Sequence, residues 1–325
     1  MCYCDKIHLS KGDEIMIKIY KTGEKGLVEK IENIEKNCWI DLVKPTLEEI
    51  DEVASKTGVE KDLILKMLDE EEIPRIEVED NSTLIVIDTP TIEEDSKYST
   101  LPLGIIFTKK DYFITISSRK FELLKLFKRG KVKNVRTEQK SRFIIRLLYE
   151  NAKLYLKYLR KIDDKIDEAE KDIHSLSDNG ELINMFTIEK SLVYFITSLK
   201  ENKKIIEKIS KGNTIKMYEE DIDLLEDASI ENEQAIEMAN IYREILSSVS
   251  NAYESIISNN LNTAMKILTS ITIIFSVPTM ISSFMGMNVP LGHLGYMKYS
   301  VVILLAVSLI LSLIIAYILK KKKLL

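Results

Sequence analysis

An otherwise apolar run near the C-terminus contains seven hydroxyl side chains between positions 269 and 283. Five of them follow steps of three and four residues: Thr269, Thr272, Ser276, Thr279 and Ser283. Extended backwards, the same spacing reaches Met265, Asn262 and Ser258. This repeat is typical of one face of a helix in a bundle, and we call these eight residues the polar stripe. Oxygen dipoles in such a row suit a pore that passes hydrated cations without binding them tightly.

The stripe is followed by Gly286, Met287 and Asn288, which separate the first apolar run from a second one. Glycine permits a tight turn or a close backbone approach, and Pro290 prevents the helix from resuming at once. The amide oxygen of Asn288 can accept hydrogen bonds from the water shell of Mg²⁺, an ion that dehydrates reluctantly. We therefore predict that Asn288 is a selectivity element at a pore mouth, built from one copy per subunit.

Two uncharged runs are long enough to cross a membrane. Between Lys266 and Lys298 lie 31 uncharged residues, and between Lys298 and Lys320 lie another 21, whereas a span needs ~20 apolar residues. We predict a C-terminal hairpin of two membrane helices; a helix pair buried in a soluble core is the alternative. The lysines at 320–323 place the C-terminus in the cytoplasm, and a two-span hairpin then places the N-terminal part there too.

The rest of the chain has the pattern of a mixed α and β domain followed by long helices. Strand-like runs lie between residues 16 and 118, with a helical pattern at 46–68: MIKIYK, CWIDLV, TLIVIDT, LGIIFTK and YFITIS. Residues 131–179 and 213–277 contain no Gly or Pro and carry apolar residues at helical spacing, which predicts long helices. The second of these should run directly into the first span. The opening residues have no apolar signal region, and we expect Met16 to be the natural start.

Composition excludes several classes of protein. The chain has a net charge of −5, and the residues after Glu254 carry six lysines and no acid, so the first 254 residues carry −11. This argues against nucleic acid as a partner and is compatible with cations. Three cysteines and three scattered histidines form neither a disulfide framework nor a zinc site. We find no paired carboxylates, Ser/His arrangement or phosphate loop, so we predict no enzyme and no organic cofactor.

The Gly286-Met287-Asn288 triplet, between two apolar runs and ahead of a lysine-rich terminus, resembles the signature of the CorA-type magnesium transporters. Other stretches from residue 16 onward are similar to the same family: WIDLVKPTLEEID, LDEEEIPRIE, EKSLVYFITSLKEN and NTAMKILTSITIIFSVPTMI. The resemblance implies a homopentameric funnel with an α+β cytoplasmic domain, an α/β sheet with flanking helices. It also implies a long stalk helix and two C-terminal membrane helices.

We expect the following division of the chain. Residues 1–15 are an extension, 16–130 the cytoplasmic α/β domain, 131–262 the long cytoplasmic helices with the stalk, 263–285 the pore-lining first span, 286–298 the signature and extracytoplasmic loop, 299–319 the second span, and 320–325 the basic tail. Partners would be further copies of the chain, the lipid bilayer and divalent cations, in a prokaryotic plasma membrane.

The resemblance also assigns the residues that meet the ion. Gly286, Met287 and Asn288 would form the selectivity filter, with Asn288 as the entrance ring. The pore would be lined by Ser283, Thr279, Ser276 and Thr272, a hydrophobic constriction at Leu268 and Met265, and Asn262 at the cytoplasmic end. Regulatory Mg²⁺ would bind between subunits at Asp227, with partners in the stretch Glu93, Glu94 and Asp95. The −11 on the soluble part fits this, since such domains repel until cations screen them.

The function implied is Mg²⁺ transport by a passive channel, driven by the membrane potential, gated by intracellular Mg²⁺ and able to pass Co²⁺ or Ni²⁺. One alternative is the related zinc-transporting branch, although the stripe lacks the His or Cys that zinc favours. Another is a membrane-anchored scaffold in which the hydroxyl residues only allow close helix packing.

Overall fold

The computed structural model describes residues 17–23, 28–93, 97–172, 179–212, 214–287, 299–322 and 324. The chain divides into two compact units, Met1–Ser248 and Val249–Leu325. The first unit contains a sheet with helices on both faces, and the second contains two apolar helical segments.

The first unit is built on a seven-stranded mixed sheet. Its strands are β1 (Ile17–Thr22), β2 (Val28–Ile31), β3 (Trp39–Val43), β4 (Arg75–Val78), β5 (Ser82–Ile92), β6 (Tyr98–Thr108) and β7 (Phe113–Ser117). They lie in the order β2-β1-β3-β7-β6-β5-β4. Neighbouring strands are antiparallel except β3 and β7, which pair in parallel with Ile40 opposite Ile114. The expected mixed fold is confirmed, and β2 and β4 are two strands that the sequence pattern missed.

Two short helices, α1 (Leu47–Thr57) and α2 (Lys61–Lys66), cover one face of the sheet. The helix α1 starts at a capping box in which Thr46 and Glu49 satisfy each other's backbone N–H groups. It ends at Gly58, whose left-handed φ of 78° allows the chain to turn. The helical pattern predicted over 46–68 is therefore two helices. Their apolar residues pack on alternate residues of the strands, among them Ile40, Leu42 and Ile114.

The other face of the sheet packs against α4 (Lys140–Asp172) and α5 (Asn179–Ser210), with α3 (Glu122–Lys128) beside α4. Phe143 lies at the centre of an aromatic cluster, with ring centroids 5.2 Å from Trp39, 4.6 Å from Phe113 and 5.1 Å from Phe127. Trp39 and Phe113 each precede Ile40 and Ile114 by one residue, so their side chains point to the opposite face of the sheet. The sheet is thus buried on both faces.

The longest element is α6 (Glu219–Met285), a helix of 67 residues, and it is followed by α7 (Ser300–Lys321). The prediction that a long helix continues into the first apolar run is confirmed. Pro278 lies inside α6. Because proline has no N–H, the carbonyl of Ile274 one turn earlier loses its helical donor.

Candidate functional site

Every residue of the polar stripe lies exposed on α6. Met265 and Leu268, the two apolar residues expected at a constriction, are 54% and 59% exposed. The remaining predicted lining residues are exposed as well: Asn262, Thr272, Ser276, Thr279 and Ser283. The helix therefore presents the predicted row of side chains outward along one side, over more than five turns.

The face of α6 that contacts α7 is a different one. Ser270 is 2% exposed and donates a hydrogen bond to the carbonyl of Leu324, just after α7, at 2.8 Å. Ser312 of α7 donates to the carbonyl of Ile274 at 3.4 Å. Ser270 and Ile274 lie two residues before Thr272 and Ser276, which is about 200° around a helix. The stripe points away from α7, so packing within the hairpin does not explain its hydroxyl groups.

The hydroxyl protons of the stripe are directed into the helix itself. Thr272 Oγ1 donates to the carbonyl of Leu268 at 2.8 Å, and Ser276 Oγ donates to Ile273 at 2.7 Å. Thr279 Oγ1 donates to Phe275 at 2.9 Å. A hydroxyl has one proton and two acceptor lone pairs, so these three groups offer only acceptors to whatever lies outside. Water molecules around a cation point their hydrogens outward and can donate to such acceptors.

The hydrogen bond from Ser312 also replaces the helical hydrogen bond that α6 lacks because of Pro278. The carbonyl of Ile274, freed by the proline, receives its hydrogen bond from the neighbouring helix. In hydrocarbon, a backbone group without a partner costs several kcal/mol, and proline is tolerated where neighbouring helices supply a donor. The proline and the serine thus form one structural feature of the hairpin.

The signature triplet lies at the end of α6, which stops at Met285. Gly286 and Met287 are exposed, and Met287 is 52% exposed. A Cβ built on Gly286 would meet the carbonyl oxygens of Ser282 and Ser283 at 3.6 Å, which is an ordinary contact. Asn288, the third member of the expected filter, lies outside the described residues, as does the rest of the loop up to residue 298.

Both apolar helices are long and apolar enough to cross a membrane, and only 6% of each apolar window is buried. A helix pair in the core of a soluble protein would be mostly buried. The alternative of a soluble core pair therefore does not fit the exposure of this chain.

The stripe extends further than the sequence prediction had it. Beyond Ser258, Ser255 and Asn251 continue the steps of three and four, and both are exposed. Together with Glu254, Asn259 and Asn262 they line a polar groove along α6. The sequence already contained this extension, because the three-and-four spacing of the stripe continues for seven residues before Ser258.

The acids expected to bind regulatory Mg²⁺ lie on separate elements. Asp227 is exposed on α6, and Glu93 is exposed directly after β5, where its N–H donates to the carbonyl of Lys97 at 2.8 Å. Glu94 and Asp95 lie outside the part of the chain that the structure describes. Within that part, no three His, Cys, Asp or Glu side chains converge as a metal site.

Comparison with known proteins agrees with the fold. The family model of the CorA-like Mg²⁺ transporter protein matches residues 35–321. A curated relative, the cobalt/magnesium transport protein CorA of Methanocaldococcus jannaschii, is 29% identical over 292 residues, covering 87% of this chain and 90% of that protein.

Solved structures give the same result. The complete structure of the CorA magnesium transporter from M. jannaschii superposes with a TM-score of 0.81 at 26% identity, over 95% of this chain and 98% of that one. The cytoplasmic domain of ZntB from Vibrio parahaemolyticus has a TM-score of 0.58 at 12% identity, over 75% of this chain and 99% of that one, and this likeness shows a shared fold alone. With a family model that spans most of its length, a matching full-length structure and the Gly-Met-Asn triplet between its apolar helices, this chain belongs to the CorA-like Mg²⁺ transporter family.

Proposed function

We propose that this chain forms a homopentameric channel that conducts Mg²⁺, and also Co²⁺ and Ni²⁺, passively across a prokaryotic plasma membrane. The observation that carries the proposal is the polar stripe, exposed on α6 on the side opposite to α7. A row of outward acceptors on a single helix has no enclosed space of its own. Several copies around an axis turn the row into a lined pore.

The chemistry of the lining suits an ion that keeps its water. Mg²⁺ dehydrates reluctantly, and its first-shell water molecules donate hydrogen bonds outward. The acceptor lone pairs of Thr272, Ser276 and Thr279 can receive them. Asn288 would add a ring of carboxamide oxygens at the entrance, next to Gly286 and Met287. Met265 and Leu268 would form an apolar constriction that interrupts this polar path, and Asn262 would follow it on the cytoplasmic side.

The driving force is the membrane potential. Moving one elementary charge inward through ~100 mV is favourable by roughly 2.3 kcal/mol, and a divalent ion gains about twice as much. In this arrangement residues 263–285 and 299–319 lie in the membrane, and residues 286–298 form the extracytoplasmic loop. The lysines at 320–323 hold the C-terminus in the cytoplasm together with residues 16–262.

Intracellular Mg²⁺ would close the channel by binding between neighbouring soluble domains. Asp227 and the stretch Glu93, Glu94 and Asp95 would supply oxygen ligands from two different subunits. This fits the separation of Asp227 and Glu93 on different elements of one chain. Binding energy gained only in the closed arrangement shifts the population towards it.

The test compares two neighbouring serines. Ser283 lies on the stripe and Ser282 lies off it, and both are exposed, so Ser283→Leu and Ser282→Leu make the same chemical change one position apart. Mg²⁺ uptake is measured in proteoliposomes with an enclosed Mg²⁺ dye under an inside-negative potential. We expect Ser283→Leu to reduce the flux at least tenfold and Ser282→Leu to retain most of it, with the same oligomer formed by both.

Three other outcomes count against the proposal. Equal flux from both variants would mean that the stripe does not line the path. Flux of Zn²⁺ without flux of Mg²⁺ would identify a zinc transporter. Wild-type protein that assembles but conducts no cation, at low Mg²⁺ on the cytoplasmic side, would favour a membrane-anchored scaffold.

A further inference from the structure

The carboxyl group of Asp88 lies between the sheet and the helices of the first unit. Asp88 is near the middle of β5, and Ser198 of α5 donates a hydrogen bond from its Oγ to Asp88 Oδ2 at 2.6 Å. The same Ser198 oxygen lies 2.9 Å from Thr100 Oγ1 on β6. Two consecutive strands, β5 and β6, and the distant helix α5 therefore meet around one acidic side chain.

Within the described residues, Asp88 takes part in none of the ion pairs, so no lysine or arginine is paired with its carboxyl group there. On α5 the acid that acts electrostatically on Asp88 is Glu201, which itself pairs with Lys204 at 2.6 Å. From α4, the Tyr155 hydroxyl donates a hydrogen bond to the backbone carbonyl of Asp88 at 3.2 Å, and from β6 the neutral Thr100 hydroxyl contacts Ser198. Burial raises the pKa of Asp88 to about 6. The hydrogen bond from Ser198 acts in the opposite direction, and the negative charge of Glu201 also raises the pKa.

The hydroxyl groups beside Asp88 can accommodate either charge state. With a carboxylate, Thr100 donates to Ser198 and Ser198 donates to Asp88. With a protonated carboxyl, the direction can reverse, so that Asp88 donates to Ser198 and Ser198 donates to Thr100. Each hydroxyl has one proton and accepts at the same oxygen, so a proton is gained without the loss of a hydrogen bond. Only the buried charge changes.

Asp88 is also joined to α6 through a single turn of α5. The backbone of Asp88 exchanges two hydrogen bonds with the Asn202 side chain, at 2.8 and 2.9 Å. Within that turn, the carbonyl of Leu199 accepts a hydrogen bond from Asn232 of α6 at 3.0 Å, and Lys203 pairs with Glu233. The turn that receives Asp88 on one side is thus held by α6 on the other.

We propose that Asp88 is a proton-binding site that couples the acidity around the soluble unit to the packing of α5 against the sheet and α6. In the charged state a carboxylate is held in a poorly solvated place, which weakens this packing. Protonation removes the buried charge and tightens the packing. Since α6 is the helix that bears the polar stripe, the proton acts on the element proposed to line the pore, although the proposal itself stands without ion conduction.

The sign of the effect follows from linkage. A carboxyl whose pKa is higher in the folded state than in the unfolded state binds its proton more tightly when folded. Its contribution therefore lowers stability as the pH rises from about 4 to about 6, and the loss persists above that range. Most acidic residues behave in the opposite way, because partners lower their pKa in the folded state.

The experiment measures thermal unfolding of the purified full-length protein between about pH 5 and pH 7.5, for wild type, Asp88→Asn and Asp80→Asn. Asp80 is an exposed acid in the turn before β5, so its variant makes the same charge change at the surface. We expect Asp88→Asn to unfold about 4 °C higher than wild type at the upper pH, and this gain to shrink towards pH 5. Asp80→Asn should keep the pH profile of wild type.

A second variant separates proton binding from plain structural support. Ser198→Ala removes the donor that favours the carboxylate, so the pH at which wild-type stability changes should move upward. Hydrogen exchange in α5 and in residues 224–240, corrected for its intrinsic pH dependence, should slow on acidification in wild type and not in Asp88→Asn. A uniform loss of stability in Ser198→Ala at every pH, or the same pH profile in wild type and Asp88→Asn, would overturn the proposal.

Discussion

At the scale of single residues, the backbone conformation of Gly286 does not itself require glycine: the described glycines with positive φ are Gly58, Gly130 and Gly212, and Gly286 is not among them. A methyl group at Gly286 would make ordinary contacts within this chain. A requirement for glycine at this position would then come from what approaches from outside the chain, which in the proposed channel is another copy or the hydrated ion.

We therefore expect Gly286→Ala to assemble and unfold like wild type while its Mg²⁺ flux in proteoliposomes falls at least tenfold. Gly212→Ala is the converse control, because Gly212 has a φ of +79° with open space around its Cβ position. That variant should lose about 1 kcal/mol of stability through backbone strain and conduct normally. Normal flux from Gly286→Ala would show that its small size has no role in conduction.

A second residue-scale feature is the fully buried carboxylate of Asp41. It accepts hydrogen bonds from Thr115 Oγ1 at 2.8 Å and from Lys128 Nζ, while Thr115 in turn accepts one from Trp39 Nε1 at 2.8 Å. The Lys128 ammonium also lies 5.8 Å from the Trp39 ring centroid. A buried ion pair is costly to break from one side, since the remaining charge loses its partner.

Lys128→Met should accordingly lower the free energy of unfolding by about 3 to 5 kcal/mol, as measured by chemical denaturation of the full-length protein. The double variant Asp41→Asn with Lys128→Met removes both charges and should recover a large part of the loss. If the single variant costs no more than the double one, the pair is not the source of the stability.

At the scale of elements, a hydrogen bond joins α6 and α7 at the point where α6 lacks one of its own backbone hydrogen bonds. Pro278 leaves the Ile274 carbonyl without its helical donor, and Ser312 supplies one from α7. Ser308, one turn earlier on α7, donates instead to Leu305 within its own helix at 2.9 Å. The two serines are similarly buried, at 6% and 9% exposure, but only Ser312 links the two helices.

Ser312→Ala should therefore destabilise the hairpin by about 1 kcal/mol, and Ser308→Ala should do so by clearly less. Unfolding in mixed detergent micelles, followed by the fluorescence of a label on α7, measures both. Equal losses would mean that the interhelical bond contributes no more than a local one.

The elements that sequence predicts well are those whose pattern is local. The polar stripe, both apolar runs and five of the strands follow from spacing and composition within short windows. The strands β2 and β4 were not predicted because VEKI and RIEV are four-residue segments with as many charged as apolar residues. The Asp88 site escaped for another reason: its partner Ser198 is 110 residues away, and a proton affinity set by burial cannot be read from a window.

At the scale of the whole molecule, the proposed feedback by Mg²⁺ depends on the uneven charge of the chain, which is acidic in its first 254 residues and basic after them. Asp227 was assigned from family resemblance, and it lies exposed on α6 beside another exposed acid, Glu226. A single chain offers no closed set of ligands within its described residues. The proposed regulatory site would therefore need ligands from more than one chain, and neither the sequence pattern nor a single chain defines how the chains assemble.

We expect Asp227→Asn to keep conducting when Mg²⁺ on the cytoplasmic-domain side is raised to a level that closes wild type. Glu226→Gln makes the same change of charge at the neighbouring position and should still close. The comparison is made by dye-reported flux in proteoliposomes loaded with low or high Mg²⁺. Closure of both variants would remove Asp227 from the proposed site, and loss of closure in both would point to net charge instead of a specific ligand.

The inward-turned hydroxyl protons of Thr272, Ser276 and Thr279 have a last consequence, for anions. A chloride or phosphate ion in the proposed pore would need hydrogen-bond donors to replace its water, and these three side chains have already used theirs. At these three positions the proposed lining therefore offers an anion no hydrogen-bond donor, although the three side chains carry no negative charge. There, discrimination by the sign of the permeating charge would rest on the direction of three O–H bonds.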